Sequence, residues 1–128
     1  MSLTGYLFGS IVLGFVHILL AGAFATKQRG TAWNVSARDG EPKPLTGVAA
    51  RLDRALKNFL ETYPLYLAAI LVFSLQGKQP GMAETGSMVY LIARVIYLPL
   101  YAFGVPYVRT LSWLASIVGI VMIVLSVF

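Results

Sequence analysis

Residues 1–26 read MSLTGYLFGSIVLGFVHILLAGAFAT, and this stretch decides the fold because it contains no Lys, Arg, Asp or Glu. A helix of about 20 apolar residues is long enough to cross the hydrocarbon core of a bilayer. Three later stretches are also predominantly apolar: residues 65–76 with an extension over 47–61, residues 87–103, and residues 110–128. The sequence therefore predicts an all-α fold. Its four transmembrane helices cover about residues 3–25, 46–75, 82–103 and 107–127 and form one domain of residues 1–128.

The composition favours lipid over water as the solvent. Hydrophobic residues make up 58% of the 128 residues and charged residues only 12%, whereas about 25% of a soluble domain is charged. Ala21-Gly22-Ala23 resembles a signal-peptide cleavage site. However, no Lys or Arg precedes the apolar run and the run is too long, so we expect a retained helix. The absence of Cys excludes disulfides, Cys metal sites and a protein thiol nucleophile, and the single His17 cannot form a metal site alone.

The placement of charge predicts the orientation in the membrane. Net charge is +5, and seven of the ten Lys and Arg residues lie between residues 27 and 57, whereas only Lys78 lies in the second connection. Short loops rich in Lys and Arg stay in the cytoplasm. We therefore expect the polar loop over residues 27–46 and the third connection to be cytoplasmic, and both termini to be non-cytoplasmic. No basic stripe of a nucleic-acid-binding domain is present, so the bilayer, and no nucleic acid, is the predicted partner.

His17 falls near the middle of the first predicted helix. An ionisable residue at that depth usually faces the interior of the helix bundle. Two interpretations stay open at this point: a neutral imidazole hydrogen-bonded to a neighbouring helix, or a contact to a substrate.

Polar residues follow one face of the second predicted helix. Arg51, Arg54, Asn58 and Glu61 are separated by three, four and three residues, which aligns their side chains along the helix. A solvated entry to the helix would explain Arg51, which lies near the interface. It explains Glu61 poorly, because that carboxylate is about four turns inside the helix.

A second stripe lies on the third helix, where Tyr90, Arg94, Tyr97 and Tyr101 are separated by four, three and four residues. Arg109 and Thr110 begin the fourth helix a short turn later. Polar groups at membrane depth are costly, so these stripes are candidate functional residues. Together they predict a pocket for a small polar ligand with more than one carboxylate and an amine, since Arg binds carboxylates through charge-assisted bonds.

Residues 54–61, RALKNFLE, match the pattern R-A-x-x-N-x-x-E of the MAPEG family, membrane-associated proteins in eicosanoid and glutathione metabolism. Residues 94–101, RVIYLPLY, and residues 106–110, PYVRT, resemble a second block of that family. The chain is most similar to the bacterial branch, which implies a bacterial inner membrane. The resemblance also implies a homotrimer that binds glutathione between neighbouring subunits.

The resemblance assigns roles to the polar residues. Arg54, Asn58 and Glu61 would hold the polar groups of glutathione, with Arg51, Arg94 and Thr110 as further binding residues. Tyr97 and Tyr101 would line the site from the next subunit. Arg109 would stabilise the glutathione thiolate, since a nearby cation favours the thiolate form of a thiol. The chain departs from the family pattern at Leu56, where His is common, at Thr110, which replaces Ser, and at Trp113, where some members have Tyr.

Three functions are compatible with these residues. The first is a glutathione-dependent transferase or peroxidase that acts on lipophilic electrophiles arriving from the bilayer. The alternative is a non-catalytic lipid-binding or scaffold protein of the same fold, because fold and signature do not guarantee an enzyme. A small transporter is disfavoured, because the fourth helix has no ionisable residue beyond Ser116.

Overall fold

Five helices account for most of residues 2–128, the part of the chain that the computed structural model describes. They are α1 (Leu3–Arg29), α2 (Thr31–Val35), α3 (Gly47–Gln76), α4 (Gly81–Ala102) and α5 (Pro106–Ser126), and no strand occurs among the described residues. All but α2 are long and apolar enough to cross a membrane, judged by length and composition. The predicted all-α architecture with four spans is therefore confirmed.

The structure differs from the sequence prediction mainly around the first connection. α1 continues to Arg29, about one turn past the predicted end at residue 25. Lys27 and Arg29 lie in its last turn, where cations interact favourably with the free carbonyl groups of a helix end. The short α2 lies within the segment that was expected to be loop. The ends of α3, α4 and α5 differ from the predicted ends by one residue each.

Most of the charged residues gather at one end of the bundle because successive long helices run in opposite directions. α3 has 30 residues, which correspond to about 45 Å, whereas the hydrocarbon core is about 30 Å thick. The first turns of α3 therefore extend beyond the hydrocarbon. They lie beside the end of α4, where Nε of Arg51 donates a hydrogen bond of 2.8 Å to the carbonyl of Ala102. We call this the polar end of the bundle.

α4 and α5 approach each other at the level of their backbones. A Cβ atom added to Gly119 would lie 2.7 Å from both the carbonyl oxygen of Gly86 and the backbone nitrogen of Tyr90. The Ser112 hydroxyl donates to the Ala93 carbonyl across the same interface, at 2.6 Å. Small residues permit this close approach, which replaces the hydrophobic driving force that is missing between helices in lipid.

Two core tyrosines, Tyr66 on α3 and Tyr90 on α4, are paired with each other and with neighbouring hydroxyl groups. The Tyr90 and Tyr66 rings stack with centroids 4.3 Å apart. The Tyr90 hydroxyl lies 3.0 Å from the hydroxyl of Thr62, and the Tyr66 hydroxyl donates to Ser87 at 3.1 Å. Each phenol therefore has a partner inside the protein, as a polar group shielded from water requires.

His17 is enclosed in the core and stacks on the Phe59 ring, with centroids 4.7 Å apart. Neither ring nitrogen has a hydrogen-bond partner among residues 2–128. Of the two interpretations, the structure favours a core histidine, which stacks on Phe59 and lacks the hydrogen bond that this interpretation included.

The contact between α4 and α5 leads to a prediction about stability. Gly119→Ala is expected to lower the free energy of unfolding by about 1–3 kcal/mol, because the new methyl group would meet backbone atoms that cannot move aside. Gly22→Ala is the matched control, since a Cβ there meets nothing within 4 Å and alanine is the better helix former. Thermal unfolding of both variants in detergent measures the difference. Equal stability of the two variants would contradict the close contact.

Candidate functional site

Arg94 is fully buried, and α4 places it about 12 Å before the end of that helix at Ala102. Its Nη1 atom donates a hydrogen bond of 2.8 Å to Oδ1 of Asn58 on α3. Its guanidinium carbon also lies 4.1 Å from the centre of the Tyr97 ring and 5.6 Å from that of Phe59. The cation is thus stabilised by one amide oxygen and two aromatic faces, with no carboxylate bonded to it among the described residues.

A cavity of about 230 Å³ opens beside this cation, between α3, α4 and α5. We call it the arginine cavity. Its lining consists of one amide, two phenols, one guanidinium, one hydroxyl and one indole, supplied by Asn58, Tyr97, Tyr101, Arg109, Thr110 and Trp113.

Tyr101 positions two cations at the rim of the arginine cavity. The guanidinium carbon of Arg109 lies 4.5 Å from the centre of the Tyr101 ring, within the range of a cation–π contact. Nε of Arg54 lies 3.3 Å from the Tyr101 hydroxyl, in hydrogen-bonding geometry. Arg109 is half-buried and Arg54 is exposed, so both can still reach a ligand in the opening.

The structure brings together most of the residues that the sequence singled out. Of the nine residues to which the resemblance assigns roles, five line the arginine cavity: Asn58, Tyr97, Tyr101, Arg109 and Thr110. Arg94 contacts two of these residues, Asn58 and Tyr97, from the bundle core, and Arg54 contacts Tyr101 at the rim of the cavity. Tyr97 and Tyr101 line the arginine cavity together with Asn58 of the same chain.

Arg51 and Glu61 lie outside the lining of the arginine cavity. Arg51 is engaged at the end of α4 through its hydrogen bond to the Ala102 carbonyl. Glu61 is exposed and forms no ion pair among the described residues. α3 ends with Gln76 at the opposite membrane interface. Glu61 lies about 22 Å from Gln76 along the helix, which is less than the hydrocarbon thickness of about 30 Å, so Glu61 lies within the hydrocarbon core. A carboxylate is costly there unless another group covers it.

Trp113 also lines the arginine cavity, although in the sequence it stands out only as a departure from the family pattern. It follows Arg109 by four residues, so the two side chains project from the same face of α5. That spacing was the signal available in the sequence.

The fold and the site define an integral membrane protein with a cationic, tyrosine-rich cavity at one end of its helix bundle. A model of the MAPEG family matches residues 3–128. The match spans nearly the whole chain, so the chain belongs to the MAPEG family, as the resemblance implied. No curated protein matches the chain.

The bond between Asn58 and Arg94 leads to a second prediction. Asn58→Leu removes the acceptor and is expected to lower the free energy of unfolding by about 1–3 kcal/mol, because a buried donor then lacks a partner. Asn58→Asp, which is of similar shape and keeps the acceptor, is expected to be at least as stable as the original chain. Thermal unfolding in detergent compares the three proteins. Unchanged stability in Asn58→Leu would show that the bond does not support the fold.

Proposed function

We propose that this protein binds glutathione at the arginine cavity and catalyses its transfer to lipophilic electrophiles, or uses it to reduce lipophilic peroxides. The observation that carries the proposal is the placement of Arg109 in a cavity lined by hydrogen-bonding side chains, in a member of the MAPEG family. The polar end carries the basic first connection, so the cavity would open toward the cytoplasm.

The side chains at the arginine cavity fit the chemistry of glutathione, which has two carboxylates, one amine and one thiol. Arg54 and Arg109 can bind carboxylates or a thiolate, and Thr110 and the Asn58 amide can hydrogen-bond to the peptide groups. Buried Arg94 has two nitrogen atoms, Nε and Nη2, without a partner among residues 2–128. Their positive charge adds to the preference for an anion. Bound glutathione would supply the nucleophilic sulfur that this chain lacks.

Arg109 is the candidate catalytic residue. Its contact with the Tyr101 ring holds the guanidinium at the cavity, and its charge would favour the thiolate over the thiol. Tyr101 serves as a positioning residue, because it contacts both Arg54 and Arg109. Tyr97 is buried and forms a wall of the cavity together with Asn58.

The electrophile would arrive from the bilayer. Trp113 lines the arginine cavity, and two nearby residues of α5, Leu111 and Leu114, are exposed on the surface of the bundle. An apolar groove of about 400 Å³ also runs along α4 and α5 and includes Ile96 and Val108, each adjacent in sequence to a cavity residue. An apolar substrate dissolved in the lipid therefore has an apolar surface to follow toward the sulfur.

A homotrimer would complete the site. A cavity of about 230 Å³ is smaller than the 300–1,000 Å³ typical of ligand sites, so one chain supplies only part of the walls that a tripeptide needs. Glu61 is exposed at membrane depth without a cation bonded to it among the described residues. Contact with a neighbouring subunit would shield this carboxylate from lipid and place it where it can bind the amine of the ligand.

Glutathione binding tests the proposal. Titration into the detergent-purified protein by calorimetry is expected to give saturable binding in the millimolar range or tighter. With chlorodinitrobenzene as the electrophile, Arg109→Ala is expected to lower turnover by at least about 100-fold, in the range for removal of one charge-stabilising donor. Arg109→Lys, which keeps the charge, should retain part of the activity.

Two results would contradict this function. Absence of binding at millimolar glutathione would exclude it, as would turnover that is unaffected by Arg109→Ala. Binding without conjugation or peroxide reduction would favour the alternative, a non-catalytic lipid-binding or scaffold protein of the same fold.

The assembly has its own test. The protein component of the detergent complex is expected to have about three times the chain mass of 13.9 kDa. If Glu61 completes the cavity of a neighbouring subunit, one chain with Glu61→Ala and one chain with Arg109→Ala can together form an intact cavity. Co-expression of the two variants is then expected to restore binding in about one cavity in four, because each of the two required residues is intact in half of the randomly mixed chains. A monomer mass excludes the trimer, and absence of restoration means that Glu61 serves its own chain.

A further inference from the structure

His17 is a polar side chain of the bundle core that the proposed glutathione site does not use. It lies near the middle of α1, is almost completely buried, and stacks on the Phe59 ring of α3. Neither Nδ1 nor Nε2 has a hydrogen-bond partner among residues 2–128. An imidazole has at least one N–H donor, and a neutral imidazole also has one acceptor nitrogen. His17 therefore has hydrogen-bonding capacity that the described part of the chain leaves unused.

A second group with the same deficit lies against the same ring. The guanidinium carbon of Arg94 lies 5.6 Å from the centre of the Phe59 ring. Nη1 of Arg94 is bonded to Asn58, but Nε and Nη2 have no partner among the described residues. These two nitrogen atoms carry three N–H groups. Unpartnered nitrogen atoms from α1 and α4 are thus gathered around one residue of α3.

His17 and Arg94 are close enough to share a small ligand. The centre of the His17 ring lies 4.7 Å from that of Phe59, on which Arg94 also lies. The two groups are therefore at most about 10 Å apart, and one or two water molecules with hydrogen bonds of about 2.8 Å can span that distance.

Burial determines which ligand can reach these nitrogen atoms. His17 is 1% exposed and Arg94 is 0% exposed, so acyl chains, peptides and a neighbouring subunit have no access to them. A water molecule needs only about 10–15 Å³ of space, and buried water typically makes about three hydrogen bonds to otherwise unpaired polar groups. Water accepts from an N–H group and also donates to an acceptor nitrogen. An inorganic anion would accept from Arg94 but could not donate to His17.

We propose that internal water binds between His17 and Arg94, in the bundle core next to the arginine cavity. The water accepts from the free N–H groups of Arg94 and is hydrogen-bonded to a ring nitrogen of His17. It belongs to the folded protein whether or not glutathione binds. Through this water, α1 helps to hold the cation that contacts two walls of the arginine cavity, Asn58 and Tyr97.

A structure of the original chain at a resolution that shows ordered water tests the proposal directly. Density for one or two water molecules is expected within hydrogen-bonding distance of His17 and Arg94. Crystals soaked in bromide distinguish an anion from water, because bromide scatters anomalously. Two results would overturn the proposal: bromide at this position, or no density there when ordered water is visible elsewhere in the core.

His17→Phe tests the same contact through the sign of a stability change. Phenylalanine keeps a ring that stacks on Phe59 but removes both nitrogen atoms. If water joins His17 to Arg94, the variant deprives that water and the buried cation of a partner. The unfolding temperature in detergent is then expected to fall by about 3–5 °C. If no water is bound, the variant replaces unpaired polar atoms by apolar ones, and the unfolding temperature rises instead.

Tyr66→Phe is the matched control. It also keeps a stacked ring, and it removes a hydroxyl whose partner, Ser87, is known. Both variants are expected to lower the unfolding temperature by similar amounts. A rise for His17→Phe together with a fall for Tyr66→Phe contradicts the proposal. If His17→Phe does not fold, the density experiment still decides, because it uses the original chain.

Discussion

The guanidinium of Arg94 is the group to which the rest of the bundle is adapted. A cation at this depth is costly, so it must lie inside the protein and be stabilised there. The oxygen of Asn58 accepts from it, and the rings of Tyr97 and Phe59 offer their negative faces. These contacts fix α3 against α4 at one level. Because Asn58 and Tyr97 also line the arginine cavity, the groups that stabilise the buried charge form walls of the candidate site.

The two halves of the bundle satisfy their polar groups differently. Away from the polar end, each core phenol has a hydroxyl partner: Tyr90 is bonded to Thr62, and Tyr66 to Ser87. At the polar end, Arg94 retains two unpartnered nitrogen atoms within the described part of the chain. Polar groups that are paired internally specify packing, whereas the Arg94 cation depends on Asn58 and on the faces of two aromatic rings.

Much of the fold could be predicted from the sequence, because lipid excludes charge and a charge-free run is therefore easy to recognise. The short α2 was missed, since five residues are too few to show a helical period. Spacing placed Asn58 and Arg94 on the polar stripes of α3 and α4, but it could not show that the two side chains would bond to each other. For the same reason it could not separate Arg51, which is engaged at the end of α4, from its neighbours on the same stripe.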